Sequence, residues 1–150
     1  MLMNTSGNTS IYSLSHIIKK INVFYESRVK LDLVLDEILI PYAKVISIAM
    51  VINELINNSI KHNKDQEDLK IRIHVSKAAE ERFVRIQYMD NGKGFVDDAG
   101  LDSRSSGIGL MVIESVILDE MSGRLRRYNR EGAVVEIEIP MQSLLPIEIR

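Results

Sequence analysis

Asp90-Asn91-Gly92-Lys93-Gly94-Phe95 follows directly on Val84-Arg85-Ile86-Gln87-Tyr88-Met89, and the two stretches decide the fold together. Alternating apolar and polar residues predict a strand with one buried face. Asn-Gly after such a strand is a hairpin signal. A hairpin needs a return strand, yet the residues from Phe95 to Arg104 are acidic and do not alternate. The turn is therefore expected to open into a loop. Asp90 would then present its carboxylate at the strand end, with glycines letting the backbone come close to a ligand. A carboxylate only accepts hydrogen bonds, so it suits an exocyclic amino group such as that of adenine and repels a carbonyl.

Downstream, Ser105-Ser106-Gly107-Ile108-Gly109-Leu110 runs into an apolar segment read as a helix from about Gly107 to Met121. Serine before a helix is a capping residue. The same arrangement also serves phosphate binding, with glycines exposing backbone amides at the helix N-terminus. Upstream, Pro41 suits the first turn of a helix continuing to Ile60. Its run from Val45 to Ile52 is almost wholly apolar and reads as buried. Glu54, Asn58 and Lys61 then share one helical face, with Ser47 one heptad earlier on the same line. A polar stripe of this kind either faces water or holds a ligand, because burying it unpaired is costly.

The remaining chain reads outward from these three stretches. Residues 1 to 10 are rich in Ser, Thr, Asn and Gly and are expected to be loose. Leu14, Ile17, Ile18, Ile21, Phe24 and Tyr25 recur at helical spacing from Ser13 to about Ser27. Strand alternation marks Leu31 to Leu35, Leu69 to Ser76, Leu125 to Tyr128 and Val134 to Ile139, with Pro140 ending the sheet. Helices segregated from half-exposed strands predict an α+β fold, a two-layer α/β sandwich. Its sheet is mixed but mostly antiparallel, with helices on one face. The expected organisation is a flexible N-terminus and leading helix over 1–27, one domain over 28–140 and a tail over 141–150.

Composition excludes several classes. The chain has 150 residues, a formal net charge of −2, 45% hydrophobic and 27% charged residues. That balance favours one folded domain and gives no basic field for nucleic acid. Arg124, Arg126, Arg127 and Arg130 read as a solvated strand face. There is no cysteine, which rules out disulfides and thiolate metal sites. No apolar run is long enough to span a bilayer, and Met1 to Ser10 lacks a signal-peptide core, so the chain is expected to be cytoplasmic, if need be as part of a larger sensor. No G-x-x-x-x-G-K-[ST] loop occurs.

Taken in order, the three stretches resemble the Bergerat-fold (GHKL) ATPases, and in particular the catalytic, ATP-binding domain of sensor histidine kinases. Glu54-Leu55-Ile56-Asn57-Asn58-Ser59-Ile60-Lys61-His62 is similar to the N box. Asp90-Asn91-Gly92-Lys93-Gly94-Phe95 matches the G1 box, and Ser106-Gly107-Ile108-Gly109-Leu110 matches most of the G2 box. The resemblance implies ATP and Mg²⁺ as cofactors. It gives Asn58 the role of metal ligand and Glu54 that of a group assisting the transfer. Lys61 and His62 would lie near the phosphates, and Asp90 would read adenine. Asn91, Gly92 and Gly94 would shape the turn, while Ser106, Gly107, Ile108, Gly109 and Leu110 would start the helix under the phosphates.

The resemblance further implies transfer of the γ-phosphate to a histidine on a dimerisation domain or partner in a response-regulator pathway. Two departures stand out: Ser105 replaces the first glycine of the G2 pattern, and Ala133 stands where a threonine is common. His16, His62 and His74 are the only histidines, and His16 does not sit in an acceptor-like motif. Two other functions fit the same motifs: a stand-alone serine kinase similar to anti-sigma factors, and a nucleotide-binding module without transfer activity.

Overall fold

A computed structural model describes residues 2–4, 10–95 and 103–146 of the chain. Five strands form the main sheet: β3 (Lys30–Leu35), β5 (Lys70–Ala78), β6 (Phe83–Asp90), β7 (Arg124–Asn129) and β8 (Ala133–Pro140), in spatial order β3-β5-β6-β8-β7. β3 pairs in parallel with β5, and every other pairing in this sheet is antiparallel. The predicted mixed, mostly antiparallel α+β sandwich is therefore observed.

Side-chain alternation sorts the sheet into two faces. Ile71, Ile73 and Val75 of β5, Val84, Ile86 and Tyr88 of β6, and Val135, Ile137 and Ile139 of β8 are buried inward. The outer face carries ion pairs between neighbouring strands, Arg72–Asp32, Arg85–Glu138 and Arg126–Glu136. Such exposed pairs contribute at most about 1 kcal/mol each and serve mainly to keep this face wet.

The helical layer is α1 (Leu14–Tyr25), α2 (Tyr42–His62) and α3 (Ser103–Glu114). α2 presents Val45, Ile48, Val51, Ile52, Leu55 and Ile56 to the core, and all are buried. Lys61 and His62 in its last turn suit the negative end of the helix dipole. Ser13 caps α1 by accepting from the His16 amide. Among the described residues, no helix is long and apolar enough to cross a membrane.

Several details depart from the sequence reading. α3 begins at Ser103, not near Gly107, and its continuation Ser115–Glu120 is π-helical, closed by the Met121 amide on the Val116 carbonyl at 3.0 Å. Leu2–Asn4, expected to be loose, forms β1. It pairs with β2 (Ser10–Ser13), which pairs in turn with β4 (Leu39–Pro41) in a small second sheet. After Pro140 the chain turns into α4 (Met141–Leu144), and Leu144 is fully buried in the core.

Candidate functional site

The site is organised around Asp90, the last residue of β6, whose side chain is only 8% exposed. Strand alternation points it inward, where a carboxylate requires donors. Its Oδ1 accepts from the Gly92 amide and from the Ala133 amide, each at 2.9 Å. Its Oδ2 accepts from the Ser59 hydroxyl of α2 at 2.6 Å. The Tyr88 phenol lies 2.6 Å from that hydroxyl and 2.9 Å from the Leu55 carbonyl, to which it donates. Burial pushes the Tyr88 phenol well above the ordinary tyrosine range.

The turn after Asp90 is held from several sides. Asn63, the C-cap of α2, donates from Nδ2 to the Ser59 carbonyl at 2.7 Å and accepts from the Lys93 amide at 2.8 Å. Asn91 directs its side chain elsewhere: it accepts from the Lys70 amide and donates to the Asp68 carbonyl. The Asn129 carboxamide pairs with both the amide and the carbonyl of Phe95. Gly94 adopts φ +85°, and a Cβ there would lie 2.6 Å from Asn129 Oδ1. Gly132 is under more demand still, since at φ +138° a Cβ would sit 1.9 Å from the Asp90 carbonyl oxygen.

Above Asp90 opens a pocket between α2, α3 and the sheet. Leu55, Ile113, Leu125 and Val135 give it apolar walls, while Asn58, Ser59, His62, Asp90 and Arg127 supply polar groups. That mixture is typical of a small-molecule site. At one end α3 crosses α2 closely: a Cβ on Gly109 would meet Glu54 Oε2 at 2.7 Å and Asn58 Oδ1 at 3.7 Å. Glu54 and Asn58 thus bring a carboxylate and a carboxamide oxygen to the same spot. These are hard oxygen donors of the kind Mg²⁺ prefers. The described residues contain no group of three or more His, Asp and Glu side chains able to cage a metal. A Mg²⁺ held here would take its other ligands from water and a bound phosphate chain.

The pocket gathers Asn58, His62, Asp90, Gly94 and Leu110 of the residues singled out from the sequence, with Glu54 beside them at Gly109. Lys61 is exposed and is not among the pocket-lining residues, and neither are Asn91 and Gly92. Gly107 and Gly109 lie inside α3 and do not open it; the amides free of intrahelical bonds belong to its first four residues. The side chains of Ser106 and Ile108, and residues 96–102 on which the loop expectation falls, lie outside the described residues.

Sequence reasoning missed the roles of Ser59, Tyr88 and Asn63: Ser59 continues the buried spacing of Ile48, Ile52 and Leu55 on α2, but neither that spacing nor the inward face of β6 shows which polar partners the side chains meet. The same reasoning grouped Arg127 with the solvated arginines, and Arg127 is exposed. It is one residue out of phase with Arg126, which pairs with Glu136, and it also lines the pocket, its guanidinium 5.5 Å from the Phe95 ring. Strand parity held the signal that was overlooked. A further buttress joins α1 to α2: the buried Tyr25 phenol donates to Asn53 and Asn57, and Arg28 stacks on its ring.

Comparison with known proteins gives a consistent picture. Residues 43–143 match the family described as "Histidine kinase-, DNA gyrase B-, and HSP90-like ATPase". A putative sensor histidine kinase NtrY-like protein of Rickettsia bellii is 30% identical over 109 residues, covering 62% of this chain and 17% of that protein. The chain thus spans under a fifth of that relative's length. Among solved structures, the catalytic domain of histidine kinase ThkA aligns with a TM-score of 0.71 at 20% identity, over 89% of this chain and 95% of that one. The histidine kinase domain from the Erythrobacter litoralis EL346 blue-light activated histidine kinase also gives a TM-score of 0.71 at 20% identity. It covers 86% of this chain and 59% of that one. These structural likenesses speak to the fold.

Proposed function

Because the chain belongs to the histidine kinase-, DNA gyrase B- and HSP90-like ATPase family, we propose that its pocket binds Mg-ATP and that it is the catalytic domain of a two-component sensor histidine kinase. The γ-phosphate would pass to a histidine on a dimerisation domain or partner protein, in the cytoplasm. The observation that carries this reading is the state of Asp90. A carboxylate offers roughly four lone-pair sites. Three are occupied by Gly92, Ala133 and Ser59, which leaves an acceptor at the pocket floor for an adenine amino group. The apolar walls from Leu55, Ile113 and Val135 suit the faces of a purine.

Each remaining group has a place in this reading. Asn58 offers its amide oxygen to Mg²⁺ without cancelling the ion's charge. Bound there, the metal would neutralise the triphosphate. Glu54, beside Asn58 under Gly109, orients the attacking imidazole and accepts its proton. His62 lies at the pocket wall within reach of an anionic ligand, and Lys61 extends from the same helix end. Phosphoryl transfer then depends on positioning and charge neutralisation, with no covalent step on the domain itself.

The test is incubation with γ-labelled ATP, Mg²⁺ and a histidine-bearing two-helix dimerisation domain. Acid-labile phosphate on the acceptor is the expected result. Acid-stable label would point instead to a serine kinase, and nucleotide binding without transfer to a non-catalytic module.

A further inference from the structure

Asn63 closes a hydrogen-bonded circuit around Asp90. Starting at the carboxylate, Oδ2 accepts from the Ser59 hydroxyl. The Ser59 carbonyl accepts from Asn63 Nδ2 at 2.7 Å. Asn63 Oδ1 accepts from the Lys93 amide at 2.8 Å. One residue back along the chain, the Gly92 amide returns to Asp90 Oδ1 at 2.9 Å. Asn63 is only 4% exposed, so water does not substitute easily for either end of its carboxamide. The fit is also steric: a Cβ on Gly92 would lie 2.4 Å from Asn63 Oδ1, so turn and side chain are in direct contact.

We propose that Asn63 is a positioning residue for base selectivity: it locks the turn after β6 to the end of α2 and so fixes the direction in which Asp90 offers its remaining acceptor. The inference rests on the reading of Asp90 as the adenine-recognising group. Within the circuit, Ser59 alone grips one oxygen of the carboxylate. The other oxygen is aimed by amides of the turn and of Ala133; among the described residues Asn63 is the buried side chain that pins this turn to the end of α2, while Gln66 just beyond it donates to the Asn91 carbonyl in an exposed hydrogen bond. Its two ends do opposite work, one donating and one accepting. An aspartate of the same shape keeps the acceptor for Lys93 but sets a carboxylate oxygen against the Ser59 carbonyl.

The test compares affinities for ADP and for its analogue with hydrogen in place of the 6-amino group, in wild type, Asn63→Ala and Asn63→Asp. Wild type is expected to favour ADP. Both variants are expected to lose most of that preference, with the ADP-to-analogue ratio falling about tenfold and binding of the analogue little changed. A purely structural role would lower the melting temperature and leave the ratio intact. Should the Asn63 variants fail to fold, Gly92→Ala probes the same contact from the other side and is expected to lower the ratio likewise. An unchanged ratio in folded variants overturns the proposal. A wild type that does not distinguish the two ligands overturns it together with the reading of Asp90.

Discussion

The Ser59 hydroxyl donates to Asp90 Oδ2 across 2.6 Å, joining the last turn of α2 to the end of β6 where both residues are buried. One turn before Ser59 on the same helix stand Asn58's neighbours Glu54 and Leu55, and Tyr88 on β6 reaches back to the Leu55 carbonyl. The helix that carries the candidate metal ligand and the strand that carries the candidate base reader are therefore locked together by polar contacts as well as by packing. A change at either end is expected to be felt at the other.

Ser59→Ala removes one of the three donors to a buried carboxylate. The expected cost is about 1–3 kcal/mol of unfolding free energy, the range for a buried polar group left short of a partner. Urea denaturation measures it, and ATP affinity is expected to fall in the same variant.

Gly132→Ala forces a Cβ to within 1.9 Å of the Asp90 carbonyl oxygen and imposes a positive φ on a residue that disfavours it. We expect a loss of roughly 2–4 kcal/mol from strain and displaced backbone. Thermal melting detects it, and nucleotide binding should weaken because Asp90 itself must shift.

Tyr88 predicts the alkaline limb of the stability profile. Its phenol is raised in the folded state by burial, while the unfolded chain titrates near the ordinary value of about 10. The neutral phenol is the form the fold favours. Its contribution is therefore complete below the unfolded value and is lost as pH rises from there toward the folded value. Tyr25 is raised in the same direction, again mainly by burial, with Arg28 opposing. Denaturation across this pH range should show a decline that Tyr88→Phe flattens.

Much of this was legible in advance. The outline of the main sheet, the long buried helix and the Asp90 turn follow from apolar periodicity and from the Asn-Gly pair after an alternating strand. The start of α3 was misread because glycines suggested a boundary, whereas Ser103 to Ser106 continue the helix backward. The small sheet of β1, β2 and β4 went unseen because its strands have three or four residues, too few to show alternation. Spacing places Ser59 on the buried stripe of α2 but does not name its partner, and Asn63 lies past the helix end. Their importance comes from where β6 and its turn lie in space, which local sequence does not encode.

Asn58→Ala removes the carboxamide oxygen placed beside Glu54 at the α2–α3 crossing. A ligand that binds only the folded state raises its melting temperature by mass action. Wild type is expected to gain more from ATP with Mg²⁺ than from ATP alone. In Asn58→Ala the magnesium-dependent part should vanish while the magnesium-independent part remains.

The central claim, that Asp90 reads an adenine amino group in this pocket, is tested most directly by calorimetric titration of wild type with Mg-ATP and with Mg-ITP, which carries a carbonyl at the same ring position. A buried acceptor left facing another acceptor loses its partner and its solvation together. The account predicts one-site binding of ATP and at least about tenfold weaker binding of ITP, equivalent to 1.4 kcal/mol or more. Equal affinity for the two nucleotides, or no binding of ATP at millimolar concentration, would contradict it.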